Sequence, residues 1–361
     1  MQQLLDNLYS QFAALRYIPP QAWYFLGLFV AGGAVIGFIS VIAMFWIWAE
    51  RKVSGHIQAR VGPNRVGPYG LLQSVADGLK LFVKEDIVPD KSQKLLYSMA
   101  PLMVFLGAFI PFAALPFSEN LVVSNMAIGI YYILAFEALE VIGIIMAGWA
   151  PMSKWSLYGG MRLAAQLLSY EVPMGLSVLS VVALTGTLNM GEIARAQEGI
   201  WTFHNGWFVW PWVCPFTTVA FFVFFTGALA SAKRAPFDLP EAESELVAGF
   251  HTEYSGMRFA YFFLAEYAAM YVLSAVAAIL FLGGWYGPIP LPESAGWMRM
   301  TVGLINLVCI KAFFLLFVML WLRWTLPRIR IDQVMYMCLK VLLPVSLITL
   351  VGAATWGIIF K

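Results

Sequence analysis

Residues Lys233 to Tyr254, KRAPFDLPEAESELVAGFHTEY, decide how the chain is read, because they form a charged island between two apolar runs at about 212–232 and 259–283. The chain is 61% hydrophobic and 12% charged, yet five of its twenty acidic residues fall here: Asp238, Glu241, Glu243, Glu245 and Glu253, beside Lys233 and Arg234. Two runs of roughly the 20 apolar residues that cross a bilayer, joined by a polar connector, are the pattern of membrane helices with a water-facing loop. A charge run is usually just a solvated face. Here Leu246, Val247 and Phe250 interleave with the acids, which predicts a half-buried loop whose crowded carboxylates titrate together. On a helix, Glu241 and Glu245 would share one face and Glu243 another.

Outward from this loop, eight runs are long enough to span, at about 22–48, 98–117, 126–150, 163–186, 212–232, 259–283, 302–322 and 339–360. None shows the alternation of a membrane barrel. The expectation is an all-α polytopic bundle of eight transmembrane helices forming a single integral membrane domain over residues 1–361. Met1 to Pro20 lacks the basic start and cleavage site of a signal peptide, so the first run is expected to remain in the membrane. The connectors after the first, third, fifth and seventh runs carry eight, two, three and four Lys or Arg, the last count including Lys340 at the edge of the eighth run, whereas the opposite side carries only Arg16, Arg195, Arg299 and Lys361. The positive-inside rule then puts the basic loops in the cytoplasm and both termini on the periplasmic side. Trp201, Trp207, Trp210 and Trp212 read as an aromatic belt at the outer interface.

The first loop, 49–97, is the longest. After Glu50-Arg51-Lys52 and the turn Gly62-Pro63-Asn64-Arg65-Val66-Gly67-Pro68, the run GLLQSVADGLKLFV from Gly70 to Val83 brings Leu71, Leu72, Val75, Leu79, Phe82 and Val83 round at helical spacing. That is an amphipathic surface helix, too short and polar to span. Cys214, Cys309 and Cys338 are widely separated, as are His56, His204 and His251. Neither a disulfide framework nor a metal, iron–sulfur or haem site is expected. With a net charge of +2 and no basic patch, nothing points to nucleic acid.

Five ionisable residues fall inside spans: Glu137, Glu140, Glu171, Glu266 and Lys311. Charges there are expensive, so they normally face a bundle interior and serve function. At about 1.5 Å per residue from the cytoplasmic ends, Glu266 and Glu171 lie roughly 12–14 Å deep, Glu140 about 15 Å, and Glu137 and Lys311 roughly 18–20 Å. Acids at graded depth beneath an acidic loop suit a hydrated proton path. A structural Glu137–Lys311 pair would account for two of the charges and leave the others unexplained. Gly32, Gly33, Gly37 and Gly175 are expected to permit close helix packing or bending.

These residues resemble a known family. GHIQARVGPNRVG, Gly55 to Gly67, preceded by Glu50-Arg51-Lys52, and PFDLPEAESELVAG, Pro236 to Gly249, are similar to the two signature motifs of the H subunit of proton-translocating NADH:quinone oxidoreductase, respiratory complex I. The mitochondrial counterpart is subunit 1 of the membrane arm. ADGLKLFVKE, SYEVPMG, the AEY of Ala265 to Tyr267 and PRIRIDQ extend the resemblance over essentially the whole chain. His56 is an unusual occupant of its position. The resemblance implies a membrane-arm subunit that forms, with hydrophilic subunits including the bearer of the terminal iron–sulfur cluster, the chamber where ubiquinone is reduced. The cytoplasmic loops 49–97 and 233–258 would form the quinone-site and proton-entry face. It assigns Arg51, Arg60 and Asp77 to the quinone entrance and chamber wall, Phe259, Phe263 and Tyr267 to its tunnel, and Arg323 to the mouth. Asp238, Glu241, Glu243, Glu245, Glu253, Glu266, Glu171, Glu137 and Glu140 would form a carboxylate path toward the proton-pumping arm. The chain itself would bind no cofactor, with flavin and iron–sulfur clusters on partner subunits and small membrane-arm subunits alongside. The implied location is a bacterial cytoplasmic membrane, or the mitochondrial inner membrane as the alternative.

Each assignment competes with a plainer one. Arg51 could be a topology anchor, Arg60 a turn-positioning residue, and Phe259 and Phe263, four apart, ordinary packing. Two other functions fit part of the pattern. A secondary transporter or proton channel would carry intramembrane Glu and Lys but usually shows inverted repeats, of which the sequence has no sign. The membrane component of an energy-converting hydrogenase shares the expected fold and many of the motifs.

Overall fold

The computed structural model describes residues 19–119, 121–198, 206–241, 243–287 and 296–360. Arg16, Trp201, His204 and Lys361 lie outside the described residues, as does the side chain of Glu243. Among the described residues the fold is all-helical, apart from an isolated bridge between Pro116 and Val122. Seven helices are long and apolar enough to cross a membrane. They are α1 (Pro20–Ile57), α3 (Lys94–Phe109, prolonged by a 3₁₀ turn to Ala113), α4 (Gly129–Trp149), α5 (Lys154–Thr185), α8 (Gly256–Phe281), α9 (Trp297–Thr325) and α10 (Ile331–Phe360). Between them lie α2 (Gln73–Val83), α6 (Met190–Ala196) and α7 (Pro215–Ser231). The chain is a multi-pass membrane protein.

The fifth expected span is the short one. Helix α7 has 17 residues, about 26 Å of rise against roughly 30 Å of hydrocarbon. Elsewhere the helices run past the apolar windows into charged sequence. Helix α1 continues through Glu50, Arg51 and Lys52 to Ile57, and α5 begins at Lys154 rather than near residue 163. Hydropathy ends a span where charge begins, but backbone hydrogen bonding does not stop there.

Helix α8 is the central post. From Ala265 to Phe281 every residue is buried, as expected of a helix that is apolar all round and enclosed by its neighbours. Close packing is arranged by glycines other than those the sequence suggested. A Cβ on Gly107 of α3 would lie 2.5 Å from the Glu140 backbone nitrogen of α4, so these helices touch backbone to backbone beside an acidic residue. Around Gly32, Gly33, Gly37 and Gly175 nothing stands within 4 Å of such an atom. Gly32, Gly33 and Gly37 are exposed on α1, and Gly175 is half-buried at the edge of a cavity between α4 and α5.

Helix α2 is the expected amphipathic helix, with Leu79, Phe82 and Val83 63%, 72% and 83% exposed. The expected Glu137–Lys311 pair does not form. Lys311 closes a π-helical segment, Ile305–Lys311, and its ammonium donates to the carbonyls of Leu282, Gly284 and Tyr286 at 2.5, 2.7 and 2.6 Å. Lysine satisfies the orphan carbonyls at the end of α8, with the Trp207 ring 4.2 Å from Nζ.

Candidate quinone and proton site

The Lys233–Tyr254 segment folds as a compact loop rather than a helix. One helical turn, Glu243–Leu246, and a 3₁₀ turn, Gly249–His251, are its regular structure. Gly249 has φ +58°, and a Cβ there would fall 1.7 Å from the Pro240 carbonyl oxygen, so only glycine lets the loop double back on itself. Phe250 and Leu246 are buried and Val247 is exposed, giving the half-buried character that the interleaving predicted. Because Glu241 precedes the helical turn, it does not share a face with Glu245. Glu241 lies 3.8 Å from His251, whereas Glu245 pairs with Arg162 of α5 at 2.5 Å on the surface.

At the base of the loop Lys233 and Arg234, 3% and 2% exposed, turn inward. Arg234 reaches Glu50 of α1 at 3.1 Å and Glu266 of α8 at 2.7 Å, with its guanidinium 4.6 Å from the centre of the Tyr267 ring. Tyr267 donates its hydroxyl to Glu50 at 2.6 Å, and Arg323 of α9 also pairs with Glu50. Two acids and two bases from α1, the loop, α8 and α9 thus balance one another. Removing one partner from such a buried network leaves an uncompensated charge, a loss of about 3–5 kcal/mol.

Lys233 joins this network to the next. Its ammonium lies 2.5 Å from Glu140 of α4, one turn from Glu137, which accepts a hydrogen bond from Ser231. Burial alone would push the Lys233 ammonium toward the neutral form, but Glu140 overrides it and holds the pKa above its ordinary value. Glu137 lines both a narrow cleft with Gly107, Glu140 and Ala269 and an open cavity of ≈ 320 Å³ with Glu171, Tyr131 and Tyr170. Glu171 is exposed on the outer face of α5. Glu140 and Glu137 thus sit one helical turn apart between Lys233 and the cavity that Glu137 shares with Glu171, and this series of acids, with Glu266 and Glu241, is called the carboxylate line.

Two loop carboxyls respond in opposite directions. Burial pushes Asp238 up to about 7, helped by the neighbouring Glu241 charge and only partly opposed by Arg328, 3.2 Å away. Burial also opposes ionisation of Glu241, but His251, Lys233 and Arg234 outweigh it and hold that carboxyl below the usual range. Glu253 stands apart and is exposed; its backbone carbonyl accepts the Tyr97 hydroxyl at 2.7 Å.

The residues expected along the quinone path divide similarly. Phe259, Phe263 and Tyr267 recur every four residues on α8 and share one face, with the two Phe rings 4.8 Å apart and the His251 ring 5.3 Å from Phe259. Arg51 and Asp77 meet at 2.5 Å and tie α1 to α2. Arg60 is exposed, bonds Gln58 at 2.6 Å and joins none of the others. Sequence reasoning missed Glu50, Lys233, Arg234 and His251 as members of the site. A Lys-Arg pair directly after an apolar run reads as a topology signal, and only the fold turns it inward. Among the described residues no cluster of His, Cys, Asp and Glu could hold a metal ion.

A family model described as NADH dehydrogenase matches residues 31–354. The chain is 45% identical to the H subunit of NADH-quinone oxidoreductase from Chlorobium luteolum over 337 residues, covering 92% of this chain and 90% of that one. It is 45% identical to the corresponding protein of Chlorobaculum parvum, covering 93% and 94%, and 46% identical to that of Dehalococcoides mccartyi strain ATCC BAA-2266, covering 89% and 84%. With matches of this extent, the chain belongs to the NADH dehydrogenase family, among the H subunits of NADH-quinone oxidoreductase.

Proposed function

We propose that the chain is the quinone-site membrane subunit of a proton-translocating NADH:ubiquinone oxidoreductase in a bacterial cytoplasmic membrane. In this reading it crosses the bilayer eight times, α7 included, with both termini outside. Loops 49–97 and 233–258 face the hydrophilic subunits, one of which carries the terminal iron–sulfur cluster. Ubiquinone enters beside α1, α2 and α8 and passes Phe259, Phe263 and Tyr267. Electrons arrive from NADH through flavin and clusters on partners, so this chain supplies shape, charge and protons.

The observation that carries the reading is the buried Glu50–Arg234–Glu266 network with Tyr267 bonded into it. It places a phenol and a balanced ion cluster where the aromatic face of α8 meets the carboxylate line. Reducing a quinone to a quinol takes two electrons and two protons and transiently builds negative charge. Charge appearing beside Tyr267 biases Arg234 away from one of its carboxylates, and the freed carboxylate takes a proton. Through Lys233 the change reaches Glu140, Glu137 and Glu171, toward the neighbouring small membrane-arm subunits.

The test begins with the tagged chain extracted from native membranes in mild detergent. Co-purifying flavin, iron–sulfur absorbance and inhibitor-sensitive NADH:quinone activity are expected. Glu241→Gln and Glu266→Gln should each lower quinone reduction and proton pumping together, by about tenfold, a loss of roughly 1.4 kcal/mol in barrier terms. A colourless chain with no partners would overturn the reading in favour of a transporter. Hydrogenase activity without NADH oxidation would move it to the energy-converting hydrogenases. Normal reduction and pumping in both variants would remove the carboxylate line from the mechanism.

A further inference from the structure

His251 is the one buried imidazole among the described residues, 8% exposed, and neither ring nitrogen has a hydrogen-bond partner. A buried polar group without a partner is costly, and such exceptions in native folds ask for a reason. Its surroundings supply one. On one side Nε2 lies 3.8 Å from Glu241 Oε1, an ion-pair separation longer than a hydrogen bond. On the other, its ring meets Phe259 edge-on at 5.3 Å and Phe263 at 6.3 Å. His251 thus stands between the aromatic face of α8 and the outermost carboxylate of the buried line. It is fixed there by the Gly249–His251 turn, whose Phe250 carbonyl accepts Ser156 of α5 at 2.9 Å.

We propose that His251 is a proton-relay residue, receiving protons at the tunnel face and passing them to Glu241. The proposal rests on the reading of Phe259, Phe263 and Tyr267 as a quinone path. The step balances without a further reagent. Negative charge developing on the quinone side favours the imidazolium, and the neutral ring takes a proton from hydronium reaching the tunnel face, which leaves as neutral water. When that charge is neutralised, an imidazolium N–H bond breaks and an O–H bond forms on Glu241, whose carboxyl is released from the imidazolium charge that foremost held it ionised. The 3.8 Å gap is bridged by one water or closed by about 1 Å of movement to hydrogen-bond distance. Electrons stay with the quinone and the reductant that supplies them.

The basic groups around the turn are held by other partners, and Asp238, the acid whose charge bears on Glu241, is paired with Arg328 at 3.2 Å. Lys233 and Arg234, which bear on Glu241, are held by Glu140, Glu50 and Glu266. Arg162 of α5 is held by Glu245, and Arg258 of α8 by Asp86 at 3.1 Å. Imidazole is the side chain whose ordinary pKa lets it both accept and release a proton near neutral pH. A phenylalanine in its place would keep the ring packing and lose the proton.

The experiment compares His251→Phe and His251→Gln with the parent in the intact complex, with NADH:ferricyanide activity as the measure of assembly. Both variants are expected to assemble, to lose about tenfold in quinone reduction, and to lose the near-neutral limb of its pH profile. Combined with Glu241→Gln, His251→Gln should add no further loss, because both act in one relay. A His251→Phe complex with the parent's rate and pH profile would overturn the proposal. So would losses that multiply in the double variant. Photolabelling by an azido-quinone separates this from the reading beneath it. Label on the Phe259–Tyr267 segment in parent and variants keeps the quinone path whatever His251 does, and an unlabelled parent overturns both.

Discussion

Asp238 shows most simply how burial sets chemistry at a single residue. Its carboxyl is raised to about 7 by burial first and by Glu241 second, in spite of Arg328. The unfolded chain releases this proton near pH 4, so between about pH 4 and 7 the folded state holds a proton that the unfolded state has lost. Stability therefore falls as pH rises through that window and stays at its lower value above it. Asp238→Asn removes the dependence. In detergent the variant should unfold at the parent's temperature near pH 4 and at a higher one near pH 8. The upper bound is on the order of 4 kcal/mol, three pKa units at about 1.4 each. A gap between variant and parent that stays constant across the range would contradict this. The acidity of the loop was legible in the sequence, and so were most of its acids as candidates. Their partners were not, because Glu50 and Arg234 are separated by 184 positions and no local pattern reports such a meeting.

At the scale of the element, Lys311 shows what periodicity cannot see. An ammonium within an apolar run invites a search for a carboxylate, yet the acceptors are three backbone carbonyls where α8 ends. Glycines at 283 and 284, φ +73° and +55°, wrap those carbonyls round the charge. Lys311→Met leaves them with neither water nor a donor, at about 1–3 kcal/mol for each group left unsatisfied. The variant complex should unfold several degrees earlier than the parent, and Lys311→Arg should recover part of that loss. A Lys311→Met complex as heat-stable as the parent would show that the carbonyls find other donors. Hydropathy located the spans because lipid admits little besides apolar helix. It missed their ends, since α1 and α5 carry helical backbone into charged sequence, and it missed which glycines pack, since Gly107 and Gly32 look alike until their neighbours are known.

Over the whole molecule, the charge pattern divides inside from outside more sharply than composition suggests. Glu50, Glu140, Glu266, Lys233, Arg234 and Lys311 are all buried, the first five in ion pairs and Lys311 among backbone carbonyls. Glu171 is the exception. It belongs to the same line and opens onto the outer face of α5, through the cavity it shares with Glu137. The family resemblance named this residue, but only the fold shows that the chain alone leaves it uncovered.

That uncovered acid bears on the life of the chain before assembly. A carboxyl presented to acyl chains costs about 2.5–3.5 kcal/mol on insertion scales, a local instability by which quality control can tell this helix from a covered one. The newly made protein therefore carries a mark of its own unfinished state, which in the proposed complex is erased by a subunit covering α5. In cells lacking the other subunits, pulse-chase labelling should show rapid turnover of the parent chain and slower turnover of Glu171→Leu. Equal half-lives for the two would mean that quality control reads a different surface.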